Sequence, residues 1–294
     1  MKYININIIM NNFEKHIQKI DMLVEDRQYK VLNNKEFEEL ISLINSLWGL
    51  RSYSRNKVKD FLFTNNYVYR DSLEGDTNSG VFVFRNTNYD DLDIASTRSR
   101  MSYFSHYTAL FIHNLTIQIP KQIYLTLERP TYKAAKYNKI LQSSIDSVFS
   151  SSPRVTTNKR VYKRFTVNFL NGQSQHNLGI LPFRDVYTVS DIERTLIDIS
   201  VRPFYSGGVT QVLEAFKKAK KNIDIDKLFD YYSKMHFSYP YHQVIGFYLE
   251  KAGYKKSDYI RFNQLSMNLD FYLTYNMINK DYSKKWKLFI PKGL

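Results

Sequence analysis

The chain has no cysteine, so it forms no disulfide and no thiolate metal site. That absence agrees with a reducing compartment, and a cytoplasmic location is the expectation. No run approaches the ~18 uninterrupted apolar residues of a membrane span. The N-terminal stretch Met1–Met10 alternates apolar residues with Asn and lacks a small-residue cleavage site, so it does not read as a signal peptide. The phosphate-loop pattern GxxxxGK[ST], the dinucleotide pattern GxGxxG and the hydrolase elbow GxSxG are also missing. Gly207-Gly208 is therefore a turn rather than a phosphate cradle. The expectation is a protein without a cofactor, without a metal and without catalytic residues. A metal-dependent nuclease built from scattered Asp, Glu and Lys stays open as an alternative, since such sites carry no compact motif.

What is present suits a two-domain chain of 294 residues with 43% hydrophobic content. The formal net charge of +14 is unevenly spread. Residues 1–120 hold 14 basic and 14 acidic side chains, so residues 121–294 carry the whole excess. One basic stretch comprises Arg129, Lys133, Lys136, Lys139, Arg154, Lys159, Arg160, Lys163 and Arg164, with Asp146 its only acid. Concentrated positive charge attracts polyanions through counterion release. This stretch is the candidate secondary basic face.

Hydrophobic periodicity places a weak helix before residue 32, and Asn33-Asn34 can cap a second one over Glu36–Leu47, ended by Gly49. Ser54 caps a third, with Val58, Phe61 and Leu62 on one face. The period then changes to two. Tyr67–Tyr69 and Val81–Phe84 read as a hairpin whose polar tip is Asp71–Gly80. Helix, turn, helix and hairpin follow the order of a winged helix–turn–helix. The candidate DNA-reading residues surround the third helix start: Arg51, Ser54, Arg55, Asn56, Lys57 and Lys59. Arg and Asn suit base edges in the major groove, while Lys, Ser and the helix N-terminus suit phosphates. Arg70 and Arg85 flank the hairpin tip.

Further on, helices are expected over Asp90–Arg100, from a Ser105 cap to about His113, over Ser190–Ser200, from Gly207-Gly208 to Lys221, from Asp224 to Lys234, and over Tyr239–Ala252. Strands are expected over Gln122–Leu127, Phe165–Phe169 and Phe183–Val189, and around Leu269–Leu273 and Trp286–Ile290. Ser150–Asn158 reads as a loop. His106 and His113 are seven residues apart, not the i, i+4 pair of a helical zinc site. Ser190 and Glu193 have the spacing of a capping box. Asp191, Glu193 and Asp198 read as capping and charge-pairing groups, with metal ligation as the other reading.

These segments contain a set of short motifs that resembles the AbiEi antitoxins. Tyr103-Phe104-Ser105-His106-Tyr107-Thr108-Ala109-Leu110, His113-Asn114-Leu115-Thr116, Pro120 and Ile123-Tyr124-Leu125-Thr126 come first. Glu193-Arg194-Thr195-Leu196-Ile197-Asp198, Arg202-Pro203, Gly207-Gly208 and Leu213-Glu214-Ala215 follow, then Tyr239-Pro240, Gln243, Gly246-Phe247 and Leu249-Glu250. The resemblance spans about residues 36–253. Asn114 stands where the family often has Gly. Ser105, His106, Ala109, Leu110, Glu193, Arg194, Thr195, Asp198, Gly207 and Gly208 would be scaffold rather than an active site. The resemblance implies a winged-helix N-terminal domain, a larger α/β C-terminal domain, and repression of the protein's own operon. It also implies neutralisation, direct or indirect, of a nucleotidyltransferase-like toxin.

The expectation is thus an α+β chain with a weakly helical extension over 1–32. A winged helix–turn–helix over 33–88 and an antitoxin domain over 89–294 would follow. Its partners would be operator DNA, with two copies on an inverted repeat, and a cognate toxin, with no membrane. The alternative is an antitoxin that blocks its toxin by direct protein binding with little DNA binding.

Overall fold

The computed structural model describes residues 16–47, 54–74, 80–129 and 140–294. Gly49, Arg51, Lys133, Lys136, Lys139 and the Gly75–Ser79 part of the expected hairpin tip lie outside these residues. The chain is a mixed α+β protein and divides into two compact units. The first comprises Met1–Arg100 with Arg160–Thr166, and the second Met101–Lys159 with Val167–Leu294. The division thus falls at Arg100.

The first unit runs α1 (Ile17–Glu25), β1 (Val31–Leu32), α2 (Asn34–Leu47), α3 (Arg55–Thr64), β2 (Val68–Ser72), β3 (Gly80–Phe84) and α4 (Asp91–Ser96). Asn33 starts α2 with a reciprocal cap. Its side-chain oxygen accepts from the Glu36 amide at 3.0 Å, and the Glu36 carboxylate accepts from the Asn33 amide at 2.9 Å. Ser54 starts α3 by accepting from the Lys57 amide. β3 pairs antiparallel with both β1 and β2, giving the order β1-β3-β2. Every third or fourth residue of α2 faces this sheet, and Phe37 stacks on Phe82 with ring centroids 4.0 Å apart. The expected helix over Asp90–Arg100 ends at Ser96. There the Ser96 and Thr97 hydroxyls donate back to the carbonyls of Asp93 and Ile94, a local bond that competes with helix continuation.

The second unit holds β4 (Tyr103–Phe104), α5 (His106–Ile112), β5 (Gln122–Glu128), α6 (Gln142–Ser150) and the strands β6 (Lys159–Tyr162), β7 (Phe165–Gly172), β8 (Ile180–Phe183) and β9 (Tyr187–Ser190). The tip of the β6–β7 hairpin, Arg160–Thr166, groups with the first unit. Helices α7 (Ile192–Val201), α8 (Val209–Ala219), α9 (Ile225–Lys234), α10 (Tyr241–Lys251) and α11 (Lys256–Gln264) follow, then β10 (Phe271–Tyr272), β11 (Lys280–Ser283) and β12 (Leu288–Pro291). The six-stranded sheet has the order β6-β7-β5-β4-β9-β8, and the last three strands form a sheet of order β10-β12-β11. The helices enclose a core that includes Leu196, Phe216, Ile245, Tyr248 and Trp286.

Several expectations are corrected here. Phe183–Val189 is not one strand: the chain reverses through Arg184 and Asp185, at φ 51° and 59°, and β8 and β9 pair with each other. Arg184-Asp185 is not a Gly-containing hairpin pair, so Asp185 alone gives the turn only a weak sequence signal. Helices α6 and α11 and strands β6 and β11 are additional elements. The expected box between Ser190 and Glu193 does not form. Ser190 ends β9 and bonds the Thr195 hydroxyl, while Asp191 caps α7 by accepting from the Arg194 amide at 2.8 Å. Ser105 precedes α5 without capping it; its hydroxyl bonds Thr126 Oγ1 at 2.7 Å instead. Trp286 sits in a turn ahead of β12, wholly buried.

Trp286 sets a constraint on α10. A Cβ at Gly246 would lie 2.1 Å from the indole ring, and Trp286 Nε1 donates to Glu250 Oε2 one turn further on, at 2.6 Å. Gly246→Ala is therefore expected to destabilise the protein by about 1–3 kcal/mol, overpacking outweighing a helix-propensity gain of at most ~1 kcal/mol. Urea denaturation checks this. Combining it with Trp286→Ala, which alone costs about 3–5 kcal/mol, should cost less than the two single changes together.

Candidate functional site

In the first unit, the start of α3 exposes Ser54, Arg55, Asn56 and Lys57, while Val58 turns into the core. The first turn of α3 holds no acid, so the positive helix end is not offset from within. Lys59 is placed differently: it is half-buried and pairs with Glu38 of α2 at 2.5 Å. Arg70 is exposed on β2, and Arg85 is exposed in the turn just after β3. Arg85 lies 3.8 Å over the Tyr67 ring and Arg70 5.9 Å over Phe82.

The expected secondary basic face is divided between the units. Arg154 and Lys159 belong to the second unit and are exposed. Arg160, Lys163 and Arg164 belong to the first. There Lys163 pairs with Asp71 at 3.0 Å and Arg164 with Asp91 at 3.1 Å. Burial opposes ionisation of Asp71, but hydrogen bonds from Lys163, the Ser72 amide and Tyr162 hold its carboxyl below the usual range.

Tyr103 and Asp198 meet in the second unit around one buried cation, Arg194. Arg194 on α7 has a side chain only 4% exposed. Its guanidinium donates to Asp198 at 3.0 Å, Glu128 at 3.2 Å, the Tyr103 hydroxyl at 3.1 Å and the Leu178 carbonyl at 2.8 Å. Burial works against the charge, yet Asp198, Tyr103 and Glu128 raise its affinity for the proton further. Glu193 and Asp191 share Lys227 at 2.9 Å each, and Glu193 also accepts from the Asp224 amide that begins α9. Thr195 is buried and bonds Ser190. Among the described residues, no three His, Asp or Glu side chains converge as metal ligands. Glu128, the partner of Arg194 on β5, was not singled out from sequence, because a Glu ending a strand looks like any solvated terminus.

Ser105, His106, Ala109 and Leu110 are buried on α5 and its start. His106 adopts φ 51° and its Nδ1 lies 2.9 Å from Ser105 Oγ. His113 Nε2 lies 2.6 Å from the Ser190 carbonyl, which fixes it against β9. Asn114 has φ 58°, so the turn keeps a left-handed position that Asn tolerates better than other non-Gly residues. Gly207 and Gly208, at φ 81° and 87°, supply the turn before α8.

Beside Arg194 lie two adjoining cavities of the second unit. The smaller, about 120 Å³, is lined by Tyr103, His106, Gln175, Arg194 and Asp198. The larger, about 620 Å³, shares Gln173, Val201, Arg202 and Phe237 with it and extends to Arg154 and Tyr275. Arg202, the residue that ends α7, lines both and is half-buried. Of the cavity residues outside the sequence motifs, Arg154 was singled out from sequence as part of the basic stretch, whereas Phe204, Phe237 and Tyr275 were not, since these rings come from separate segments.

No family model matches the chain, and no curated protein matches it. Among solved structures it is similar to the RV2827C protein from Mycobacterium tuberculosis. The likeness has a TM-score of 0.57 at 11% identity and covers 93% of this chain and 90% of that one. It supports a shared fold along almost the whole length, and the α+β class with it. No helix among the described residues is long and apolar enough to cross a membrane.

Two measurements bear on this centre. Replacing Arg194 by Met strands the Glu128 and Asp198 carboxylates in the interior, with an expected loss of about 3–5 kcal/mol in denaturant unfolding. The second concerns histidine. Burial pushes His242 down to about 4, against a weaker opposing pull from the Ser266 backbone, and burial also holds His106 well below its ordinary value. Below pH ~6.5 the unfolded chain takes up protons that the folded chain refuses. Stability is therefore full above pH ~6.5 and declines as pH falls toward 4, and the urea midpoint should follow that course. His242→Gln should flatten the decline; an unchanged profile in this variant would show that His242 does not carry it.

Proposed function

We propose that this chain is a DNA-binding transcriptional repressor, and that it serves as the antitoxin of a toxin–antitoxin operon in the manner of the AbiEi proteins its sequence resembles. The carrying observation is the topology of the first unit. Helix, strand, helix, helix and two-stranded hairpin, closed by a sheet of order β1-β3-β2, follows the element order of a winged helix and supports that reading. In that reading α3 is the recognition helix and the β2–β3 hairpin is the wing.

The chemistry at α3 supports this assignment. Arg55 and Asn56 stand exposed on its first turn, where paired donors and acceptors reach guanine and adenine edges. Ser54, Lys57 and the helix N-terminus suit phosphate oxygens. Arg70 on β2 and Arg85 just after β3 suit the adjacent backbone or minor groove. Lys59 is given the role of holding α3 to α2 through Glu38, not of touching DNA. Two copies on an inverted repeat would match the usual symmetry of such sites. Counteraction of a nucleotidyltransferase-like toxin is assigned to the second unit.

The test is binding to the DNA upstream of the protein's own gene, measured by anisotropy across a salt series. Wild type is expected to prefer that DNA over random sequence, with affinity falling steeply as salt rises. Arg55→Ala with Lys57→Ala should lose at least about 1–3 kcal/mol of specific binding and show a shallower salt slope, without loss of fold by circular dichroism. Equal affinity for upstream and random DNA would overturn the repressor reading and favour direct capture of the toxin.

A further inference from the structure

We propose that the 620 Å³ cavity of the second unit is a binding site for a nucleotide. The volume lies within the ~300–1,000 Å³ range of small-molecule sites. Among the described residues its charged lining is Arg154 and Arg202, and no carboxylate lines it. Arg202 is half-buried, yet its guanidinium has neither an ion pair nor a hydrogen bond among the described residues. The acid one helical turn before it, Asp198, is already held by Arg194 at 3.0 Å. A guanidinium lining a cavity with no carboxylate to meet it suits an anion, and its planar donor fork matches phosphate.

The rest of the wall narrows the anion to one that carries a flat ring. Phe204, Phe237, Tyr239, Tyr241 and Tyr275 line the cavity. They are braced by neighbours: Tyr275 stacks on Phe149 with centroids 4.4 Å apart and meets Phe204 edge-on at 5.9 Å, while Phe237 meets Tyr241 at 5.3 Å. Aromatic platforms beside cationic side chains are how proteins hold a base and its phosphate together. Gln173 and Ser238 add polar groups within reach of a sugar. An inorganic anion would leave the rings without a role, and an apolar ligand would leave Arg202 without one.

The source of the nucleotide is either the free mononucleotide pool or the phosphorylated end of a nucleic-acid strand. Isothermal titration calorimetry on the full-length Arg55→Ala, Lys57→Ala protein separates the two, because that background weakens the proposed DNA site in the first unit. The probes are AMP, UMP, GMP and CMP, a 5′-phosphorylated trinucleotide, and inorganic phosphate. Saturable one-site binding of at least one nucleotide is expected, at least tenfold tighter than phosphate. Arg202→Gln should weaken it by tenfold or more with an unchanged melting temperature, and Tyr275→Leu should remove the advantage over phosphate. Should Arg202→Gln unfold the protein, the exposed Arg154→Gln variant reads the same loss. Tighter binding of the trinucleotide identifies a strand end, and tighter binding of a mononucleotide a free ligand. No saturable binding by any nucleotide at millimolar concentration, phosphate binding as tightly as the nucleotides, or nucleotide binding untouched in both arginine variants overturns the proposal. Upstream-DNA binding by the wild-type first unit is a separate readout, so either proposal can fail alone.

Discussion

One buried guanidinium organises the second unit. Arg194 projects from α7 and reaches Tyr103 on β4, Glu128 at the end of β5, the carbonyl of Leu178 before β8, and Asp198 on its own helix. A charge that is 4% exposed survives only where its donors are filled and its charge met, and here both conditions hold. The price of such a centre is that its partners lose their freedom: Glu128 also accepts from the amides of Gln175 and Asn177, so the loop between β7 and β8 is fixed by the same carboxylate. Sheet, helix and loop are thus tied at one point by directional bonds, whereas apolar packing alone would leave their register weakly specified.

The same arrangement explains why the next basic residue stands apart. Arg194 and Asp198 lie four apart on α7 and share one helix face, and Arg202 follows four residues later at the C-cap. Asp198 turns toward Arg194, where Glu128 and Tyr103 complete a closed network, and is not shared with the second arginine. Arg202 ends the helix, where the partial negative charge of the last carbonyls favours it. That partial charge is a weak partner, and the surrounding rings and the positive Arg154 do not add a stronger one. The electrostatic asymmetry of the cavity therefore arises from the saturation of the centre beside it.

Much of this architecture was legible wherever a local rule decides the structure. Asn33, Ser54 and Asp224 cap the helices expected of them, and the unbroken apolar run Val81–Phe84 marks a strand buried along its whole length. Legibility failed where two neighbouring residues compete for one role. Ser190 and Asp191 both suit a helix N-cap, and the choice fell to Asp191 because Ser190 is committed to β9 and to Thr195. Ser105 likewise has the right identity for a cap, but Thr126 on the neighbouring strand takes its hydroxyl. Helix α6 lacks a side-chain cap at Leu141, and β8 is apolar without alternating, so neither announces its limits. The cavity was invisible for a different reason. Its rings come from separate segments, each with an ordinary local pattern, and only tertiary packing brings them to one wall.

Charge shows how far composition can mislead about a unit. The first 120 residues are electrically neutral, which by itself favours a protein-binding role over a DNA-binding one. The compact unit, however, does not end where the sequence segment does. It takes in Arg160–Thr166, a hairpin tip with three basic residues and no acid, which brings the unit to a net +3. Two of those cations, Lys163 and Arg164, neutralise Asp71 and Asp91. Both carboxylates would otherwise repel a phosphate backbone, Asp71 from the hairpin strand that carries Arg70. The imported residues therefore act less as a phosphate-binding face of their own than as counter-charges. By pairing with these acids, they leave the exposed cations at the start of α3 and beside the β2–β3 hairpin to set the sign of the local field.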